Sequence, residues 1–293
     1  MTAKLIKGGE VSKKIREELI EEIKRLKQQH GILPGLATIL VGEDPGSKVY
    51  VGQKEKACHE LGIFSQRTDL PAQTTEADLL ALVDNYNQNP KIHGILVQLP
   101  LPKQIDAHRV INAIDPDKDV DCFHPFNAGR LMIGTYRFLP CTPHGIMELL
   151  RRSGISTEGR HVVVVGRSNI VGKPIANLML QPAPGGNATV TLCHTGTKDL
   201  AFFTRMADIL IVAVGRPKTI TADMVKEGVV VVDVGVNRIG KTAEGKAILA
   251  GDVDFDAVQE KAAAITPVPG GVGPMTITML MKNTVDAAKA TVR

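Results

Sequence analysis

The chain has 293 residues, 43% of them hydrophobic and 23% charged, with 28 glycines and 17 prolines. That length suggests about two domains, and the balance excludes a disordered or fibrous chain. Thirty-five basic against 31 acidic residues leave a formal net charge of +4; the two signs are mixed along the sequence, and with no Trp, three Tyr and seven Phe neither a basic stripe nor a stacking platform for nucleic acid is available. Cys58, Cys122, Cys141 and Cys193 include no C-x-x-C pair, which argues against a zinc site or disulfide framework and fits a reducing cytoplasm. No apolar stretch reaches signal-peptide length at the N-terminus or the roughly 18 residues of a membrane span. A cytoplasmic protein without nucleic-acid or membrane partner is expected.

Val11, Ile15, Leu19, Ile23 and Leu26 recur at three- and four-residue steps and predict an amphipathic helix over about 10–29. The run 36–41 predicts a buried strand, closed by the turn-forming Gly42-Glu-Asp-Pro-Gly46, with a helix over 47–61. The pattern repeats as strand 64–70, helix 76–87, strand 92–98 and helix 107–113. At Cys141-Thr-Pro-His-Gly145, Thr142 suits an N-cap and Pro143 the first helical position. A domain boundary is placed there. Strands at 161–165, 189–193, 209–214 and 229–234, with helical segments near 173–180, 199–206 and 222–226, have the βαβαβ rhythm of a nucleotide-binding domain. A Pro/Gly segment, 266–274, leads to a last helix over 275–290. The fold class is α/β.

The segment Val162-Val-Val-Val-Gly166-Arg-Ser-Asn-Ile-Val-Gly172-Lys-Pro174 reads as a buried strand, a tight turn and a helix start whose N–H groups can face a phosphate. The spacing is not G-x-G-x-x-G, and an ordinary strand–turn–helix joint has the same look. An NAD site places an acid after the second strand; here that strand ends Cys193-His-Thr-Gly196, and Arg167 lies in the glycine turn. An arginine suits a 2′-phosphate, so NADP is the expected cofactor, with a solvated loop arginine as the alternative. On the 47–61 helix, Ser47, Tyr50, Lys54, Ala57, Cys58 and Leu61 fall on one face. Lys54 either extends its amine to solvent or is held partly desolvated and able to exchange a proton, and Tyr50 either walls a ring-shaped ligand or packs in the core. Gln98 closes a strand at its carboxyl end, where ligands of open α/β sheets sit. In Asp115-Pro-Asp-Lys-Asp-Val-Asp121 spacing alone cannot single out Asp121. The histidines make no metal-ligand pattern, and no metal is expected.

Six segments together, Tyr50-Val-Gly-Gln-Lys54, Gly94-Ile-Leu-Val-Gln-Leu-Pro-Leu-Pro102, 115–121, Pro140-Cys-Thr-Pro-His-Gly145, 166–172 and Pro267-Val-Pro-Gly-Gly-Val-Gly-Pro-Met-Thr276, resemble the bifunctional methylenetetrahydrofolate dehydrogenase/methenyltetrahydrofolate cyclohydrolase family. The resemblance implies two α/β domains with a cleft between them: a folate-binding catalytic domain of residues 1–140 plus 275–293, and a Rossmann-type NADP-binding domain of residues 141–274. It implies a homodimer, and two reactions on one folate: hydride transfer from the methylene carbon to NADP+, then hydrolysis of the methenyl cation to 10-formyltetrahydrofolate. Carried over by residue, Lys54 transfers the proton, Gln98 positions its amine, Tyr50 stacks on the folate and Asp121 bonds the pterin. Leu99, Pro269, Gly270, Gly271 and Gly273 line the folate site, the glycines allowing close backbone approach. Gly166, Arg167, Ser168, Thr195 and Val236 contact NADP. Two departures are visible. The link 181–187 is longer than usual, which is expected to reshape the adenosine end, and Thr195 stands where Ser or a basic residue is common, so NADP preference rests mainly on Arg167. A dehydrogenase of another small substrate, such as an amino acid or shikimate, and a non-catalytic NADP sensor remain as alternatives.

Overall fold

The computed structural model describes residues 2–242 and 247–292. A two-residue strand β1 (Lys4–Leu5) and a long helix α1 (Gly8–His30) open the chain, followed by β2 (Gly35–Val41), α2 (Pro45–Leu61), β3 (Phe64–Leu70), α3 (Glu76–Gln88), β4 (Gly94–Val97), α4 (Ala107–Ala113) and α5 (Pro125–Met132). Next come α6 (Cys141–Arg152), β5 (His161–Val165), α7 (Gly172–Leu180), β6 (Thr189–Cys193), α8 (Leu200–Thr204), β7 (Ile209–Val212) and β8 (Val230–Asp233). The antiparallel pair β9 (Asn237–Lys241) and β10 (Ala247–Ala250), then α9 (Phe255–Val258), β11 (Ala264–Ile265) and α10 (Val272–Ala290), complete the order.

Two compact units result. The first comprises Lys14–Cys141 and Ile277–Arg293 and holds a parallel sheet of order β3-β2-β4. All seven residues of β2 are buried, as a strand covered on both faces demands. Ala37, Ile39 and Val41 pack with Leu79 and Val83 of α3 and Val110 of α4, each larger side chain contributing about 1.5–3 kcal/mol by leaving water. β3 (FSQRTDL) is an edge, and its polar residues suit the position.

The second unit comprises Met1–Lys13 and Thr142–Thr276. Its six-stranded sheet has the order β1-β11-β8-β7-β5-β6, parallel throughout. Val163, Val165, Leu210, Val212, Val231 and Ile265 form its core. β5 has β6 on one side and β7 on the other, so the strand order reverses there, and the crevice outside the carboxyl ends at such a point is where α/β sheets bind ligands. The first thirteen residues group with this unit because β1 pairs with β11, Lys4 opposite Ala264 and Leu5 opposite Ile265.

Three details differ from the sequence expectations. Thr142 lies inside α6, which starts at Cys141, and its hydroxyl meets that of Thr276 at 2.9 Å instead of capping the helix. The helical segment at 222–226 is a three-residue 3-10 turn, Ala222–Met224. The long link 181–187, expected to reshape the adenosine end, lies away from the strand ends that carry Gly166 and Thr195. It precedes β6, and its bonds run to residues preceding β5, Gly159 N donating to Asn187 O and Thr157 Oγ1 to Gly186 O. It therefore sits at the amino ends of β5 and β6, opposite the ends that Gly166 and Thr195 follow.

In α6, Glu148 accepts from Arg151 Nε at 3.0 Å and Nη2 at 2.7 Å, and from Arg152 Nε at 2.8 Å. Burial pushes this carboxyl up, but the two arginines outweigh burial and hold it at about 2 against an ordinary 4.5. A lowered folded value means that the stabilisation is complete above the ordinary value and drains away as pH falls toward the folded one. Glu148→Gln should lower the melting temperature at pH 7, by a deficit that shrinks as pH drops below 4.5. Thermal melts showing the same deficit at pH 7 and pH 3.5 would contradict the ion pair.

Candidate active site

In the three-stranded unit the catalytic candidates meet where α2 passes the end of β4. α2 is started by Asp44, whose carboxylate accepts from Ser47 N at 2.7 Å, with Pro45 in its first turn, and is ended by Gly62 in the left-handed conformation. Ser47, Val51, Ala57, Cys58 and Leu61 are buried, Lys54 is half-buried and Tyr50 is 47% exposed. The inward stripe thus opens to solvent at Tyr50 and Lys54. Gln98 follows β4 and is fixed at both ends: its backbone N donates to Ile39 O at 2.9 Å, and its Nε2 donates to Leu99 O at 2.7 Å. With Nε2 committed, Oε1 is left as an acceptor, and Lys54 Nζ donates to it at 2.9 Å. A lysine that gives one N–H to a fixed acceptor has its remaining valences turned in a defined direction.

Asp121 is held by its neighbours. Ile95 N of β4 donates to Lys118 O, and Lys118 Nζ donates to the carbonyls of Tyr86, Asn87 and Asn89 at the end of α3; burial lowers the lysine's affinity for its proton. The buried Asp119 carboxylate accepts from Phe123 N, His124 N and Asn127 Nδ2, and burial still pushes it up. Between Asp119 and Asp121, Val120 O accepts from Cys141 Sγ at 3.4 Å and from Asn283 Nδ2 at 2.7 Å. Asn283 also donates to Leu139 O at 2.8 Å. Burial pushes the Cys141 thiol far up; the Asp121 carboxylate beside it adds to that and the Lys54 amine opposes it. Lys54, Gln98, Leu99 and Asp121 are therefore one neighbourhood, with a protonated, unreactive thiol among them. Cys141, Asn283, Asp119 and Lys118 were not singled out from the sequence. Asn283 had one signal, a polar residue in the apolar run of α10.

In the six-stranded unit, Gly166, Arg167 and Ser168 follow β5, Thr195 follows β6 and Val236 follows β8. Gly166 has φ +123°, and a Cβ on it would stand 2.2 Å from Ala213 O; one on Gly172 would stand 2.0 Å from Gly166 O. Only bare backbone fits at both, which is the cradle a dinucleotide pyrophosphate requires. Ser168 Oγ accepts from Val171 N and Gly172 N and closes the turn, and Val171 makes no side-chain cap on α7. Arg167 and Thr195 are exposed at adjacent strand ends. These residues fit NADP. Pro269, Gly270, Gly271 and Gly273 also lie in this unit. Gly270 has φ +103°, and a Cβ on Gly271 would stand 2.6 Å from Pro267 O, but around Gly273 there is open space, so close backbone approach accounts for Gly271 and not for Gly273.

Residues 6–121 match the model of the tetrahydrofolate dehydrogenase/cyclohydrolase catalytic domain, and residues 140–292 that of the NAD(P)-binding domain of the same family. The chain belongs to the tetrahydrofolate dehydrogenase/cyclohydrolase family. Bifunctional protein FolD of Dehalococcoides mccartyi is 62% identical over 289 residues, 99% of this chain and 98% of the relative, and that of Syntrophus aciditrophicus is equally similar over the same shares. The crystal structure of the bifunctional FolD enzyme from Campylobacter jejuni is 50% identical with a TM-score of 0.92, covering 99% of both chains. The Trypanosoma brucei FolD structure, complexed with NADP cofactor and inhibitor, is 41% identical with a TM-score of 0.94, covering 100% of this chain and 99% of that one. This chain is a bifunctional dehydrogenase and cyclohydrolase of one-carbon folate metabolism with an NAD(P)-binding domain, and neither the other small-substrate dehydrogenase nor the sensor describes it. No helix among the described residues is long and apolar enough to cross a membrane.

Gly166→Ala should weaken NADP binding at least about tenfold, because the added carbon collides with Ala213 O in a conformation that L-residues avoid. Titration of the purified variant with NADPH, followed by nucleotide fluorescence, checks this; native affinity would show that the turn is not the cradle.

Proposed function

We propose that both reactions use one folate site organised by Lys54, and that NADP+ is the hydride acceptor. The observation that carries this reading is the Lys54 Nζ to Gln98 Oε1 bond of 2.9 Å, with Gln98 itself pinned to Leu99 O. Folate enters as 5,10-methylenetetrahydrofolate. Tyr50 offers an exposed aromatic face for its ring system, and the Asp121 carboxylate takes hydrogen bonds from the pterin N–H groups. NADP+, when bound, accepts the hydride of the methylene carbon, which leaves the 5,10-methenyl cation. The protein's part in that step is orientation.

The second step needs a proton moved. Water adds to the methenyl carbon, the water proton leaves, and the C–N5 bond breaks to give 10-formyltetrahydrofolate with one proton released overall. Lys54 is the group placed to receive and return that proton. Gln98 keeps the amine aimed by accepting one of its hydrogens at 2.9 Å. The choice of NADP over NAD is supported by Arg167 at the β5 turn, exposed and next to the β6 end where a 2′-phosphate belongs, and by the NADP bound to the Trypanosoma brucei relative. The four free, buried cysteines support a reducing, cytoplasmic setting. The assembly is proposed as a homodimer, β6 being an open edge of its sheet.

Lys54→Met should lower the rate of methenyltetrahydrofolate hydrolysis by at least about 100-fold, the scale of a positioned proton-transfer group, while retaining measurable NADP reduction. Spectrophotometry at the methenyl absorbance reads the first and nucleotide absorbance the second; unchanged hydrolysis removes Lys54 from the role. In Arg167→Ala the KM for NADP+ should rise at least about tenfold with little change for NAD+, the loss of a charge-assisted phosphate contact. Equal shifts for the two nucleotides would place the 2′-phosphate elsewhere.

A further inference from the structure

Two buried carboxylates stand at the carboxyl ends of β7 and β8, and neither reaction described above uses them. Asp252 is fully buried. Its Oδ2 accepts from Val214 N at 2.6 Å and Gly215 N at 2.9 Å, and its Oδ1 from Arg216 N at 2.9 Å and Asn237 Nδ2 at 2.8 Å. Three successive backbone N–H groups thus wrap one carboxylate, an arrangement that normally cradles an anionic ligand. Asp233, 3% exposed, accepts from Gly235 N, Asp252 N and Val253 N, each at 2.9 Å. The fit is tight: a Cβ on Gly235 would stand 2.3 Å from Asp252 Cγ, and one on Gly251 would stand 1.9 Å from Asp233 Oδ2.

The location gives the pair its meaning. The turn that Asp252 grips directly follows Ala213, whose carbonyl packs on Gly166. Arg167 and Thr195 assign the adenosine half of the cofactor to the β5 and β6 ends, so its nicotinamide half extends over the ends of β7 and β8. Four N–H donors divided between two oxygens are more than the single acceptor oxygen of an Asn or Ser can take, so this turn calls for an acceptor-only carboxylate and places a negative charge beside the strand ends. Two like charges buried side by side oppose one another, here offset by the donors that converge on each; burial, with the Asp252 charge adding to it, pushes Asp233 up to about 6. The oxidised nicotinamide ring is a cation and the reduced ring is neutral.

We propose that Asp252 is a positioning residue for the nicotinamide half of the cofactor: it fixes the Val214–Arg216 turn, and its charge, with that of Asp233, favours the oxidised, cationic ring over the reduced one. The inference rests on the cofactor groove proposed above.

The test is the ratio of two affinities in the folate-free enzyme at pH 7.5, NADP+ by calorimetry and NADPH by its fluorescence. Asp252→Asn keeps size but loses both the charge and one acceptor oxygen, so both nucleotides should weaken, and the Kd for NADP+ should rise at least about threefold more than that for NADPH. Hydrogen exchange at the amides of Val214, Gly215 and Arg216 should quicken while that of Val162–Val165 holds. Equal weakening of both nucleotides, the signature of a purely structural role, overturns the proposal, as does no change in either. Should Asp252→Asn fail to fold, Asp233→Asn carries the test with the same direction and a smaller ratio, and an unchanged ratio there overturns it too. Gly166→Ala separates the two readings: native nucleotide binding in that variant means that the groove itself is misplaced, whereas lost binding there with an unaltered ratio in Asp252→Asn sinks the charge argument alone.

Discussion

Parallel strand pairing is the constraint from which the rest of the molecule follows. Within each sheet, strands that all run one way end on one edge, so the residues that follow them collect there without any further instruction. In the three-stranded sheet Gln98 follows β4; in the six-stranded sheet Gly166 follows β5, Thr195 follows β6, the Val214 turn follows β7 and Gly235 follows β8. Side chains within the central strands are committed to packing: β2, β4 and β7 are buried at every position. The interior supplies rigidity, and the chemistry is left to the residues just past the hydrogen-bonded ladder.

Those residues are then held by bonds that do not depend on the ladder. Gln98 is tied to Ile39 and Leu99 before it meets Lys54. Asp121 has no strand of its own, and is placed because Val120 O receives both Cys141 and Asn283. In the other unit Ser168 closes its own turn and Asp252 closes the next. A side chain that must meet a substrate within a few tenths of an ångström needs such a second layer, since misplacement by about 1 Å can cost a hundredfold in rate.

Much of this was legible in the sequence, for reasons that differ by element. β3, α4, β5 and β6 have the bounds that alternation, valine runs and capping residues predict. The two-residue β1 and β11 have no period to read, so the grouping of the first thirteen residues with the six-stranded sheet was invisible. Lys54 and Gln98, which the structure joins by a hydrogen bond, were singled out because a lysine on an inward stripe and a glutamine at a strand end are chemically conspicuous. Asn283 and Asp252 were not, because most of their partners are backbone groups more than thirty residues away and nothing in local spacing reports such a bond. The link 181–187 was recognised as long but given the wrong end of the sheet; topology, not length, decides which face a loop serves.

Neither unit is a continuous stretch of chain. Residues up to Lys13 join the six-stranded sheet, the next segment to Cys141 builds the other unit, the chain returns for Thr142–Thr276, and Ile277 onward goes back. On the ribosome, where domains ordinarily fold one after another as they emerge, this order has a cost. The loop bearing Asp121 is synthesised early but lacks the amide of Asn283 until the last helix is made, so no half-made chain holds that loop by all of its bonds. The last helix is in this sense the closing clasp of a unit begun more than two hundred residues earlier.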